Sequence, residues 1–368
     1  MPPLLLTPGP LTTSDQTRAA LGRDWGSREA DFIALSEGVR ARLAVLAGVE
    51  RTHVAVPVQG SGTFAVEAAV QTLVPRDGRL LVLVNGAYGR RIVDIAGRLG
   101  RAWVALEAAE DQPISAERVA AALAADREIS DVALIHCETT SGLLNPLPEI
   151  AACVRRAGRR LLVDAMSSFG AVPIDGGRVP FTALIGSSNK GLEGVPGISF
   201  VIAESAYLQG CAGNSTSLSL DLFEQWRGFE SNGQWRFTPP VQVVAGLAAA
   251  LDQLEAEGGI NARFARYRRN CEVLVEGMRA RGLHPYIAAA DQAPVIVTFL
   301  MPPGGWFKFQ AFYDFLHARG IVIYPGKLTG VDSFRIGCIG AIGTGDMMRC
   351  LVAIDGFLAE HRDGRTAA

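Results

Sequence analysis

Up to about residue 205, short continuous apolar runs alternate with turns and amphipathic stretches. "HVAVPVQGSG" leads into "TFAVEAAVQTLV", "RLLVLVNGAYG" into "RRIVDIAGRLG", "RAWVALEA" into "SAERVAAALAA" and "DVALIHCETTSG" into "LPEIAACVRRAG", after which "RRLLVDAMSSFG" follows. Unbroken apolar runs of strand length, separated by helical periodicity, predict an α/β fold with a mainly parallel sheet flanked by helices on both faces. Ligands of such sheets bind beyond the carboxyl ends of the strands. Polar residues cluster just there: Ser61 and Thr63, Asn85 and Tyr88, Glu138 to Ser141, Asp164, and Lys190 between the apolar runs "ALIGSS" and "GISFVIAE". Five strand ends are therefore expected to converge on one crevice.

Beyond residue 205 the rhythm breaks. The polar stretch "GNSTSLSLDLFEQWRGFESNGQWRFTPP" is followed by long helical patterns from about Val241 to Arg281, and then by runs such as "PVIVTFLMP", "IVIYPG" and "FRIGCIG" that read as a smaller C-terminal α+β domain. The expected division is an N-terminal segment, 1–15, returning to the small domain near the site; a large domain, 16–260; and a small domain, 261–368.

A chain of 368 residues is longer than a single core usually spans, which agrees with two domains. With 35 Lys and Arg against 37 Asp and Glu and no basic stripe interleaved with aromatics, a nucleic-acid partner is excluded and a small-molecule substrate is expected. The start, "MPPLLLTPGP", lacks the basic lead of a secretory signal and no apolar run reaches membrane-spanning length, so a cytoplasmic protein without a membrane partner is expected. The six cysteines show no CxxC or Cys/His spacing, so neither disulfides nor a metal are expected.

Taken singly, the polar clusters are ambiguous. Lys190 could be a solvated turn residue, Gly60 to Thr63 a plain helix N-cap, and Asp164 the cap of a turn. Together they read differently. Backbone N–H groups at Ser61, Gly62 and Thr63 can hold a phosphate monoester, although no P-loop or dinucleotide fingerprint is present. Asp164, after four residues of buried strand, needs a cationic or hydrogen-bonded partner. A lysine desolvated at the edge of a core loses basicity and becomes a nucleophile. Phosphate cradle, strand-end acid and downstream lysine are together what pyridoxal 5′-phosphate requires.

The stretches "LLLTPGP", "QGSGTFAVEA", "NGAYGRR", "HCETTSGLLNP", "VDAMSSFG", "SSNKGLEGVPG", "LSLDLFEQW", "WRFTPP", "VIYPGK" and "FRIGCIG" span nearly the whole chain. In their order the sequence resembles the class V aminotransferases of the fold-type I pyridoxal phosphate superfamily. The resemblance implies that Lys190 joins the cofactor and moves the proton, that Asp164 pairs with the pyridine nitrogen, and that Ser61, Gly62, Thr63 and Asn189 hold the phosphate. Tyr88 would lie near the ring, its alternative being an ordinary core tyrosine. Thr140 would touch ring or substrate, with Thr139 as competitor; Thr238 would reach the phosphate from the partner of a homodimer with shared sites. Arg335 would take the substrate's acidic group, and Arg28 a second charge, unless it is a solvated surface residue. The activity implied is amino transfer from 2-aminoethylphosphonate to pyruvate. A class V aminotransferase working between alanine or serine and glyoxylate or pyruvate stands as the alternative; further off are a desulfurase or kynureninase-like lyase, for whose mobile sulfur carrier Cys338 sits too close to an apolar strand, and a pyridoxal phosphate-binding regulator without turnover. The chain departs from the phosphonate-using pattern at Gly191, where cysteine is expected, and at Pro239, where serine is expected.

Overall fold

The computed structural model describes residues 3–362. Seven apolar runs form the central sheet: β1 (His53–Gln59), β2 (Arg79–Val84), β3 (Ala102–Glu107), β4 (Ile129–Ile135), β5 (Arg160–Asp164), β6 (Ala183–Ser187) and β7 (Ile198–Glu204), in the spatial order β1-β7-β6-β5-β4-β2-β3. All neighbours pair in parallel except β7, which runs antiparallel to both β1 and β6. The side-chain period of two sorts each strand between two cores. Leu81 and Leu83 of β2 pack on one face, with the helices Ala30–Leu46 and Val241–Glu257; Leu80, Val82 and Val84 pack on the other, with the helix Gly62–Leu73. Burial on both faces is why the inner strands read as unbroken apolar runs, while β3, at the sheet edge, is largely exposed.

The reversal of β7 follows from the chain between β6 and β7. Residues 188–197 contain no helix, and a loop that short cannot make the crossover a parallel pairing needs, whereas it closes a hairpin easily. Lys190 sits in this hairpin loop, at the edge where β1, β2, β4, β5 and β6 all end. Asp164 is the last paired residue of β5, opposite Ile135 of β4 and Ile185 of β6.

The long helical pattern is two helices, Val241–Glu257 and Gly259–Ala280, separated at Gly258, whose φ of 105° is the left-handed conformation that ends a helix. A second, antiparallel sheet follows, in which Ser333–Gly337 lies between Ile296–Leu300 and Tyr324–Pro325. Phe334 enters an aromatic core, its ring stacked 5.6 Å from Phe299 and 5.5 Å from Phe307. One residue on, Arg335 faces the other way, toward the central sheet.

The N-terminal segment ties the two sheets together. Leu4–Leu5 pairs in parallel with Ile321–Val322, and Leu6 O accepts from Gly337 N at 2.9 Å. Further on, Gly9 lies so close to the Lys190 loop that a Cβ there would stand 2.6 Å from Asn189 O and 3.2 Å from Lys190 Cγ. Among the described residues no helix is long and apolar enough to cross a membrane.

A methyl added at Gly337 would meet Thr7 O at 2.5 Å. Gly337→Ala is therefore expected to displace the N-terminal segment, with a stability loss of about 1–3 kcal/mol and faster proteolysis within residues 4–12. Urea denaturation and mass-mapped limited proteolysis check this, and a wild-type cleavage pattern would show that the segment is not seated by that contact.

Candidate active site

A cavity of about 180 Å³ opens at the carboxyl edge of the central sheet. Ser61, Gly62 and Thr63 enter it from the loop after β1, Tyr88 from the helix Ala87–Arg98 after β2, Asp164 from the end of β5, and Asn189 and Lys190 from the β6–β7 hairpin. Val66, Ile92, Ile135, Cys137 and Met166 supply its apolar wall. Asn85 is not part of it: its amide is buried behind the loop, bonded to Asn145 Oδ1 at 2.9 Å and Gln112 O at 3.1 Å.

The donors suit a flat aromatic phosphate. Ser61 caps the helix Gly62–Leu73 without a side-chain capping bond, which leaves the first-turn N–H groups to an outside anion. Ser187 Oγ, at the end of β6, lines the same cavity, is buried and has no partner. A Cβ at Gly62 would stand 2.3 Å from Met166 Sδ, so a larger residue there would have to displace the Met166 side chain that lines the cavity. These residues, with Asp164 and Lys190 facing the same space, fit pyridoxal 5′-phosphate.

Burial moves Asp164 and Lys190 away from their ordinary pKa values, and their opposite charges offset part of that shift. Burial raises the Asp164 carboxyl to about 6, even though Met166 N donates to Oδ1 at 2.9 Å and Lys190 and Arg91 pull the other way. Burial likewise lowers the Lys190 ammonium, which Tyr88 and Asp164 support and Arg335 opposes. Tyr88 would be raised by burial, but Lys190 and Lys327 bring its phenol below the usual value. The Arg91 guanidinium lies 4.9 Å from the centre of the Tyr88 ring and Lys327 Nζ 5.5 Å from it.

Behind this wall Glu138, fully buried, accepts from Thr140 Oγ1 at 2.6 Å, Thr140 N at 3.1 Å and Tyr88 N at 3.1 Å. The Thr140 hydroxyl is thus committed inward. Thr139 keeps its hydroxyl buried without a hydrogen-bond partner, and its carbonyl accepts from Arg335 Nη1, 2.9 Å away. Arg335, 2% exposed, also donates Nε to Pro325 O at 2.9 Å, so two of its five N–H groups are fixed and the outer end of the fork is free.

Thr238 and Arg28 are both exposed and outside the cavity of the single chain. Ser187, Arg91 and Lys327 are additions to the sequence reading. Arg91 had a legible signal, since it lies three residues after Tyr88 on one helix face, and its Nη1 is 3.3 Å from Thr63 Oγ1. Cys338 is fully buried with its thiol pushed up, the opposite of a mobile sulfur carrier, and among the described residues there is no cluster that could hold a metal.

Over residues 12–337 the chain matches the family model for aminotransferase class-V. It is similar to the 2-aminoethylphosphonate–pyruvate transaminase of Pseudomonas entomophila, 53% identical over 97% of each chain, and to that of Pseudomonas aeruginosa, 53% identical over 97% of this chain and 96% of the relative. Among solved structures, the alanine–glyoxylate aminotransferase of Nostoc sp. superposes with a TM-score of 0.91 at 26% identity, covering 97% of this chain and 96% of that one. The pyridoxamine–pyruvate aminotransferase of Mesorhizobium loti gives 0.90 at 25% identity, covering 98% and 93%. The chain belongs to the class V aminotransferases, with their fold-type I architecture, and its cofactor is pyridoxal 5′-phosphate.

Proposed function

We propose that the protein moves the amino group of 2-aminoethylphosphonate to pyruvate, giving phosphonoacetaldehyde and L-alanine. The observation that carries this is likeness at 53% identity over nearly the full chain to transaminases named for that pair, against 25–26% for structural neighbours named for other substrates.

When bound, pyridoxal phosphate supplies an aldehyde that exchanges amines and a ring that withdraws electrons from the substrate carbon. Lys190 Nζ would hold the cofactor's aldehyde and, once displaced by the donor amine, would carry the proton away from the donor's amino-bearing carbon and, in the second half-reaction, deliver one to the carbon that becomes Cα of alanine. Burial lowers its ammonium pKa, which favours the free amine that a base requires. Asp164 presents a negative charge to the ring nitrogen. Ser61, Gly62, Thr63, Ser187 and Asn189 hold the phosphate, and Tyr88 orients the ring. Thr140 braces the pocket through Glu138, which also takes Tyr88 N, and Thr139 braces Arg335 through its carbonyl. Arg335 accepts phosphonate in one half-reaction and carboxylate in the other. With Nε and Nη1 anchored on carbonyls, it meets either anion with a pre-set fork at no further rotamer cost.

The active unit in this reading is a homodimer. Leu218, Phe64 and Phe237 are 73%, 49% and 48% exposed around the segment that carries Thr238, which supports a second copy covering that face and Thr238 entering the partner's site. We place the boundary between the large and small domains near residue 260, supported by the consecutive left-handed glycines Gly258 and Gly259, and the protein in the cytoplasm, supported by six buried, unpaired cysteines.

Purified protein offered 2-aminoethylphosphonate, alanine or serine as donor should convert the first fastest with pyruvate, and borohydride reduction should mark Lys190. Arg335→Lys should slow both half-reactions about ten- to a hundredfold, since a point charge replaces a fork. Turnover of alanine with glyoxylate but not of the phosphonate would replace this substrate assignment with the alternative.

Asp164→Asn should act in opposite directions on chemistry and on stability. An acid raised from 3.8 to about 6 on folding favours the fold below its unfolded pKa and costs stability as pH rises through 6. The Asn apoprotein should therefore gain about 1–3 kcal/mol over wild type near pH 8 and nothing near pH 3.5, while single-turnover proton abstraction slows. Chemical denaturation at the two pH values checks it; equal gains at both would mean that the carboxyl titrates normally.

If Thr238 crosses to the neighbour, mixing inactive Lys190→Ala chains with inactive Thr238→Val chains should restore activity, because one site of each heterodimer carries neither lesion. A purified heterodimer with no activity would place Thr238 outside the shared site.

A further inference from the structure

Three residues after Lys190, Glu193 holds a φ of 62°, the one non-glycine residue with positive φ among the described residues. Its N–H donates to Lys190 O at 2.8 Å. Its carboxylate, 5% exposed, accepts from the Tyr267 hydroxyl and from Arg266 Nη2 at 2.7 Å. Arg263, 1% exposed, donates Nη1 to Gly191 O at 3.2 Å, and its Nη2 stands 3.8 Å from Glu193 Oε2. Glu257 takes Nε of both arginines at 2.7 Å, so the cluster is neutral. Arg266 reaches further, giving Nη1 to Gly340 O at 2.6 Å and Ile342 O at 2.8 Å, just past the strand that carries Arg335.

We propose that Glu193 is a positioning residue: gripped by Arg266 and Tyr267, it holds the Lys190 carbonyl and thereby fixes where Lys190 Nζ stands, while Arg266 ties that loop to the backbone behind Arg335. The loop offers little else to hold. A Cβ at Gly191 would lie 2.5 Å from Phe169 O, so the residue next to Lys190 has no room for an anchoring side chain and is gripped by its carbonyl instead. A left-handed glutamate persists only where its surroundings over-determine it. Buried ion pairs stabilise a fold less well than apolar packing of the same volume, but they specify one geometry. Here the geometry specified joins the Lys190 loop to the second sheet.

The inference rests on Lys190 being the cofactor lysine, so borohydride mapping of wild-type holoenzyme accompanies the test; label on another lysine overturns both readings. The variants are Glu193→Ala, Glu193→Gln and Arg266→Lys. Lys190 shares a desolvated cavity with Tyr88, Asp164 and Cys137, and the Arg335 charge acts on it from outside the lining. A loosened loop lets water in, so in Glu193→Ala apoprotein the pH midpoint for acylation of Lys190 should rise by about one unit. In the holoenzyme kcat should fall about ten- to a hundredfold with KM for the donor little changed. Glu193→Gln keeps the length and the acceptor oxygen and should recover most of the loss. If Glu193→Ala does not fold, Arg266→Lys, which keeps the charge but loses the fork to Gly340 and Ile342, carries the same expectation. Wild-type midpoint and kcat beside a lowered melting temperature, in whichever variant folds, would reduce the cluster to a structural role and overturn the proposal.

Discussion

A strand buried on both faces has no place for an unpartnered polar side chain, and in a parallel sheet all such strands stop on the same side. That constraint puts the chemistry of this protein where it is. Polar residues are pushed off the ends of β1, β2, β4, β5 and β6 onto one edge, where desolvation by the surrounding core is still strong enough to raise Asp164 and lower Lys190. The site is thus a by-product of the packing as much as a separate construction. Its electrostatic character comes from lying at the margin of the core, with Asp164 ending a strand and Lys190 three residues past one.

The β6–β7 hairpin is the exception that the rest of the chain accommodates. The chain runs on from β1 and β2 straight into helices, whereas the lysine loop turns straight back into the sheet. Support for it comes from far away in sequence: Gly9 from the N-terminal segment, and Arg263, Arg266 and Tyr267 from the helix Gly259–Ala280. Those contacts join the two sheets more directly than the connecting chain does.

This division explains what could be read from residues alone. Strands and their polar ends were legible because double-sided burial writes itself as unbroken apolar runs. The direction of β7 was not legible from the run itself, since an apolar strand looks the same in either direction; it was latent in the shortness of residues 188–197. Lys190, Asp164 and the Ser61 to Thr63 cradle could be placed at strand ends, which is a local property. Ser187 was hidden because a serine ending a strand is unremarkable until its hydroxyl is found without a partner. The commitment of the Thr140 hydroxyl to Glu138, beside a Thr139 hydroxyl left without a partner, could not be read from sequence, because two adjacent threonines in a turn differ only in side-chain direction. Thr238 and Arg28 lie on exposed surface, where sequence carries little information about partners.

The alternation of Phe334 and Arg335 has a consequence for how this strand tolerates change. One strand presents a stacked aromatic to the core and, on its opposite face, the guanidinium that meets the central sheet. A change at position 335 and its carbonyl neighbours need not unpack the aromatics, and a change among the aromatics leaves the guanidinium's face intact. The two faces of the same five residues can therefore be altered separately.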